Sequence, residues 1–125
     1  MIEFDPRSRL LWGSFPLRLS AIQRRSELFH VELSQLQATI EATFGARDRA
    51  RGIDGTFRWW VEEVGEVAKS LRRMNPAELE HEIGDALAWL ASVANLAGVD
   101  LTSAMRRYAD GCPRCQHSPC TCPAA

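Results

Sequence analysis

Five carboxylates stand in two short groups, Glu62, Glu63 and Glu66 and then Glu82 and Asp85, and four cysteines, Cys112, Cys115, Cys120 and Cys122, crowd the end of the chain. These are the residues whose types and spacing can do chemistry. Carboxylates three residues apart on a helix share a face and repel one another, at about a few tenths of a kcal/mol per pair, unless something neutralises them. Lys69 is the only lysine nearby, so a bound cation is the natural neutraliser. Hard oxygen donors suit magnesium or manganese, and magnesium keeps positions for water and for substrate phosphates. The plainer alternative is a solvated acidic surface.

A helical wheel separates these readings. With Glu63 at zero, Glu66 falls at about 300° and Glu62 at about 260°, while the apolar arc of that segment centres at about 100°. With Glu82 at zero, Asp85 again falls at about 300°, with its apolar arc at about 80°. Both segments carry acids on one flank of their core face. A short connection makes the two helices antiparallel neighbours, so the acidic flanks converge on one cleft.

The elements that position these groups are legible in outline. Ser34 and Gln37 form a capping box, after which Leu33, Leu36, Ile40 and Phe44 recur at helical spacing until Gly45 stops the run. Arg47, Asp48, Arg49 and Arg51, leading to Gly52 and Gly55, read as a solvated polar loop, with the alternative that its basic residues face an anion. From about Thr56 to Met74, the set Phe57, Trp60, Val64, Val67 and Leu71 fits one helical face. Asn75, Pro76 and Glu78 supply an N-cap, a first-turn proline and a capping acid for a third helix through Leu79, Ile83, Leu87, Leu90 and Ala94 to Gly98. Asp100 caps a last short helix from Leu101 to Ala109, and Gly111 ends regular structure. No strand pattern appears, so the expected class is all-α.

Residues 1–32 read as a poorly defined extension, in which Ser20 and Gln23 offer a weak capping box. It is either an upstream translation artefact or a cover over the cleft. Residues 33–110 form the helical domain and residues 111–125 the cysteine-rich tail. Clustered rather than spread to close loops, the cysteines point to metal in a reducing compartment. Two close thiolate pairs suit zinc, and a closed four-sulfur site is structural rather than catalytic. A redox pair or free thiols are the alternatives, and His117 could replace one cysteine. Such a tail is too short to own a core and would depend on its metal.

The bulk properties agree with one modest domain: 125 residues, 46% of them hydrophobic. The 15 basic and 16 acidic residues nearly cancel, which makes nucleic acid a poor default partner. No apolar run approaches the roughly 20 residues of a membrane span, and Leu10 to Leu19 is broken by Gly13, Pro16 and Arg18. With no secretory signal visible, the chain reads as cytoplasmic.

Glu62-Glu63-Val64-Gly65-Glu66 followed by Glu82-Ile83-Gly84-Asp85 resembles the EExxE and ExxD signature of the all-α nucleotide pyrophosphohydrolases of MazG type. The resemblance runs over about residues 33–108, including Asp85-Ala86-Leu87-Ala88-Trp89-Leu90 and Gly98-Val99-Asp100-Leu101. It implies a helical bundle completed by oligomerisation, at least a homodimer, and magnesium-dependent attack of water on a nucleoside triphosphate to give the monophosphate and pyrophosphate. That reaction would clear unwanted nucleotides from the pool. It further implies Glu63, Glu66, Glu82 and Asp85 as ligands of Mg2+ (or Mn2+), Glu62 as a further ligand or the orienter of water, and Asn95 as a nucleotide contact. Trp89 and Trp59 lie at similar angles on their helices, where they either stack on a base or pack. Arg106 and Tyr108 are candidates to reach phosphate. Phosphoribosyl-ATP pyrophosphatase shares the carboxylate logic and is an alternative, as is a non-catalytic, zinc-stapled interaction module.

Overall fold

The computed structural model describes residues 31–123. They form four α-helices and a closing 3₁₀ turn: α1 (Leu33–Arg51), α2 (Ile53–Arg73), α3 (Pro76–Ala97), α4 (Leu101–Met105) and the turn Arg106–Tyr108. No strand occurs among the described residues, in agreement with the all-α expectation. The Ser20 and Gln23 capping box lies outside them.

Two sharp boundaries set the hairpin that carries the acids. The Asn75 side chain accepts from the Glu78 N–H at 3.3 Å, with Pro76 in the first turn, so α3 starts where the sequence marks it. Met74, in a left-handed conformation (φ 55°), closes α2. With so short a connection α3 folds back along α2, and this pair makes the most extensive packing in the chain. At the other end Gly98, also left-handed (φ 66°), turns the chain out of α3, and Asp100 caps α4 by accepting from the Ser103 N–H.

The first helix departs from expectation. Gly45 does not stop it: α1 runs on through Arg47, Asp48 and Arg49 to Arg51, so most of the expected loop is helix. A glycine inside a helix costs only about 1 kcal/mol relative to alanine, and Gly45 is buried with the Glu41 carboxylate of the preceding turn lying over it, where a side chain at position 45 would stand. The break comes at Gly52, whose φ of 82° few other residues adopt. Its N–H donates to the Asp48 carbonyl at 2.8 Å, and its own carbonyl accepts from the Thr56 N–H at 3.1 Å and the Thr56 hydroxyl at 2.9 Å. One residue thus joins α1 to α2.

The expected Ser34 and Gln37 capping box does not form either. The N-cap of α1 is Glu32, with no side-chain cap bond. Gln37 instead reaches across the bundle, donating to the Val99 carbonyl at 2.6 Å and accepting from the Leu101 N–H at 3.0 Å, while Asn95 donates to the Gln37 carbonyl at 3.1 Å. These bonds pin the α3–α4 corner to α1. The last expected helix is shorter than read, giving way to the 3₁₀ turn after Met105.

Among the described residues Ile40, Ala91 and Ala94 are the buried apolar side chains, whereas Phe57, Val64, Ile83 and Leu87, all expected on the core face, remain 44–47% exposed. Among the described residues the helices therefore leave much of their apolar stripes uncovered.

Candidate metal and nucleotide site

Glu63 on α2 and Glu82 and Asp85 on α3 meet across the hairpin, each half-buried and each able to offer an oxygen within 4.8 Å of the others. The i,i+3 spacing of Glu82 and Asp85 places both on one face of α3, and the tight turn at Met74 and Asn75 brings Glu63 opposite. Partial burial, followed by the charges of Asp85, Glu82 and Glu62, raises the Glu63 pKa above its usual range near 4.5, while a hydrogen bond from Trp89 works against the rise. Three acids with such mutual repulsion form an oxygen donor set suited to a hard divalent cation.

The other two sequence candidates stand apart from this trio. Glu62 is exposed and acts on Glu63 through its charge. Glu66 points to Lys69 one turn on, with Nζ 2.8 Å from Oε2. His81, which the sequence reading did not single out, lies with Nε2 3.3 Å from an Asp85 oxygen, at the i,i+4 spacing that would have predicted it.

Beside the acids lies a cavity of about 320 Å³ lined by Phe44, Arg47, Asp48, Arg51, Asp85, Ala88, Trp89 and Ser92. Asp85 belongs to both the cavity wall and the carboxylate trio. The stretch read as a solvated loop supplies much of the remaining wall: Asp48 is 3% exposed and bonded by Arg51 at 2.8 Å. Trp89 stacks on Trp59, with ring centroids 5.7 Å apart and planes 11° from parallel, and the Arg51 guanidinium lies over the Trp89 ring at 4.8 Å. Asn95 is three residues beyond Ser92 and engaged with Gln37, so a nucleotide would have to meet the part of its amide not used in that bond.

In the tail the four cysteines gather with their sulfurs within 4.8 Å of one another. Cys112 and Cys122 are 3.9 Å apart and Cys115 and Cys120 3.7 Å, whereas a tetrahedral zinc with Zn–S of about 2.3 Å spaces its sulfurs by about 3.8 Å. Backbone N–H groups of His117 and Thr121 lower the Cys115 pKa to about 5, and those of Cys115 and Arg114 lower that of Cys112. Cys122, facing its neighbours' sulfurs, is raised to about 11. His117 turns instead to the Thr121 hydroxyl, 3.2 Å from Nδ1. The donor set fits zinc.

A family model described as the MazG nucleotide pyrophosphohydrolase domain matches residues 51–115, just over half of the chain. The match spans α2, α3, all five acids and the first two cysteines. No curated protein matches the chain. No single described helix is long and apolar enough to cross a membrane.

Proposed function

The chain belongs to the MazG nucleotide pyrophosphohydrolase family, and from that premise we propose that it is a magnesium-dependent nucleoside triphosphate pyrophosphohydrolase, acting in the cytoplasm to release a monophosphate and pyrophosphate. The observation that supports this reading most directly is the meeting of Glu63, Glu82 and Asp85 beside a cavity of nucleotide-like size.

In this proposal Glu63, Glu82 and Asp85 hold the cation, and Glu66 joins them by leaving Lys69. Bound magnesium, or manganese, would neutralise the triphosphate and acidify a coordinated water. Glu62, exposed and next to Glu63 in the chain, would orient such a water and accept its proton. His81 and Trp89 hold Asp85 and Glu63 from the outside, as partners of metal-ligating carboxylates do. The α-phosphate sits by Asp85, where the trio and the cavity share a wall, and Trp89 contacts the nucleotide.

The tail cysteines Cys112, Cys115, Cys120 and Cys122 hold a structural zinc in this reading, with His117 outside the set. The uncovered stripes of α2 and α3 are closed by a second copy, giving a homodimer or larger homo-oligomer.

The deciding experiment is pyrophosphate release from a panel of standard and modified nucleoside triphosphates, with and without magnesium, for the wild type and Glu63→Ala. Magnesium-dependent release lost in the variant establishes the reaction and ranks substrates. No release from any nucleotide by folded, zinc-loaded protein would leave a binding module in its place.

A further inference from the structure

The pair Asp48 and Arg51 is more elaborately held than the end of a helix requires. Arg51 donates to Asp48 at 2.8 Å and to the fully buried Thr56 hydroxyl at 3.3 Å, and its guanidinium lies over the Trp89 ring. Thr56 in turn is fixed to the Gly52 carbonyl. Asp48, on the inner side, is almost wholly buried. A solvated arginine in the last turn of a helix would gain a little from the helix dipole without any of these contacts. Here the cation is seated at a definite place on the wall of the cavity that Asp85 also lines.

A guanidinium carries more N–H donors than these two bonds use, in a planar fork that suits phosphate oxygens. The cavity edge needs such a charge. A triphosphate brought against Glu63, Glu82 and Asp85 meets like charge, and any bound cation is shared between protein and substrate oxygens. Among the residues lining the cavity, Arg47 and Arg51 are the cationic side chains, one helical turn apart on α1.

We propose that Arg51, seated by Asp48 and seconded by Arg47, receives the phosphate chain of the nucleotide, with Asp48 a positioning residue that acts through Arg51. The nature of the ligand rests on the pyrophosphohydrolase reading above; the role of the pair rests on the geometry of α1. It follows that the Trp89 contact with the nucleotide is made at the phosphate end, through the cation over its ring, rather than by stacking on the base.

The test is calorimetric titration of the full, zinc-loaded chain with inorganic tripolyphosphate in the presence of calcium, beside a nucleoside monophosphate as a second probe, for the wild type, Arg51→Gln, Arg51→Lys, Asp48→Asn and the double variant. Charge-assisted contacts of this kind set the expected scale: Arg51→Gln weakens tripolyphosphate binding about ten- to a hundredfold. Arg51→Lys restores part of it and covers the case in which Arg51→Gln fails to fold. Asp48→Asn weakens binding in the wild-type background and has no further effect beside Arg51→Gln, a pattern that a merely structural role for Asp48 would not produce. Equal tripolyphosphate affinity in wild type and folded Arg51 variants overturns the proposal. So does absence of tripolyphosphate binding by the wild type, or loss of monophosphate binding with tripolyphosphate unchanged. Arg51-dependent binding in a protein that hydrolyses no nucleotide would sustain this proposal while removing the catalytic one; hydrolysis with Arg51-independent binding would do the reverse.

Discussion

Glu66 and Lys69 are joined by a 2.8 Å ion pair along one face of α2, which draws Glu66 away from the acids that meet between the helices. The five acids therefore fall into an inner trio, one paired member and one exposed member.

That division ranks the acids by metal affinity. Glu63→Gln should weaken Mn2+ binding on the order of tenfold or more, since even a partner of a metal ligand is commonly worth that much. Glu66→Gln should cost less, and Lys69→Gln, by releasing Glu66, should leave affinity unchanged or raise it. Titration followed by electron paramagnetic resonance reads all three; a larger loss in Glu66→Gln than in Glu63→Gln would place the metal on the other flank of α2.

The raised pKa of Glu63 has a definite consequence for stability. A carboxyl whose folded pKa lies above its unfolded value leaves the folded state holding more protons than the unfolded state, so stability falls as pH rises. The fall begins near the ordinary value of 4.5 and ends once the raised value is passed. Metal-free protein should accordingly lose part of its thermal stability over that window. Glu63→Gln should flatten this part of the profile, and added magnesium, which favours the ionised trio, should offset the loss at neutral pH. Identical pH profiles of Tm for the wild type and Glu63→Gln, both without metal, would contradict the assignment.

Zinc binding to the tail should release fewer than four protons at pH 7. Each of the four thiols must reach its ligated form as a thiolate, but wherever the tail keeps this geometry before zinc binds, Cys115, with a pKa of about 5, is already ionised there. Proton release measured in weak buffer on adding zinc to the chelator-stripped chain tests this directly. Four protons per zinc would mean that the backbone N–H groups of His117 and Thr121 do not hold the Cys115 sulfur.

The uncovered apolar stripes predict self-association. Val64 and Leu87, each 47% exposed, lie in the middle of α2 and α3. Val64→Asp or Leu87→Asp should shift the protein towards monomer in sedimentation velocity without abolishing its helical circular dichroism. A wild type that is monomeric at every concentration would show that these stripes are simply exposed.

What the sequence determined by itself was whatever short-range chemistry sets. The caps at Asn75 and Asp100, the glycine at position 98 and the i,i+3 spacing of Glu82 and Asp85 act within one or two turns, so α3, its capped start and the convergence of its acids with Glu63 were legible. The gathering of the tail cysteines was legible for the same reason. The Glu66 and Lys69 pair is equally local, at the i,i+3 spacing of one helical face.

Only the tertiary structure decided the other half of the site. Gly45 and Gly52 look alike in the sequence, yet one is carried inside a helix and the other, at a φ of 82°, breaks it, because a cost of about 1 kcal/mol is too small for glycine alone to decide. That choice turns Arg47, Asp48 and Arg51 from a solvated loop into a cavity wall. In the same way Gln37, suited by spacing to a local capping box, spends its amide on Val99 and Leu101, more than sixty residues away, since backbone groups left over where α3 turns into α4 take partners wherever the fold brings them.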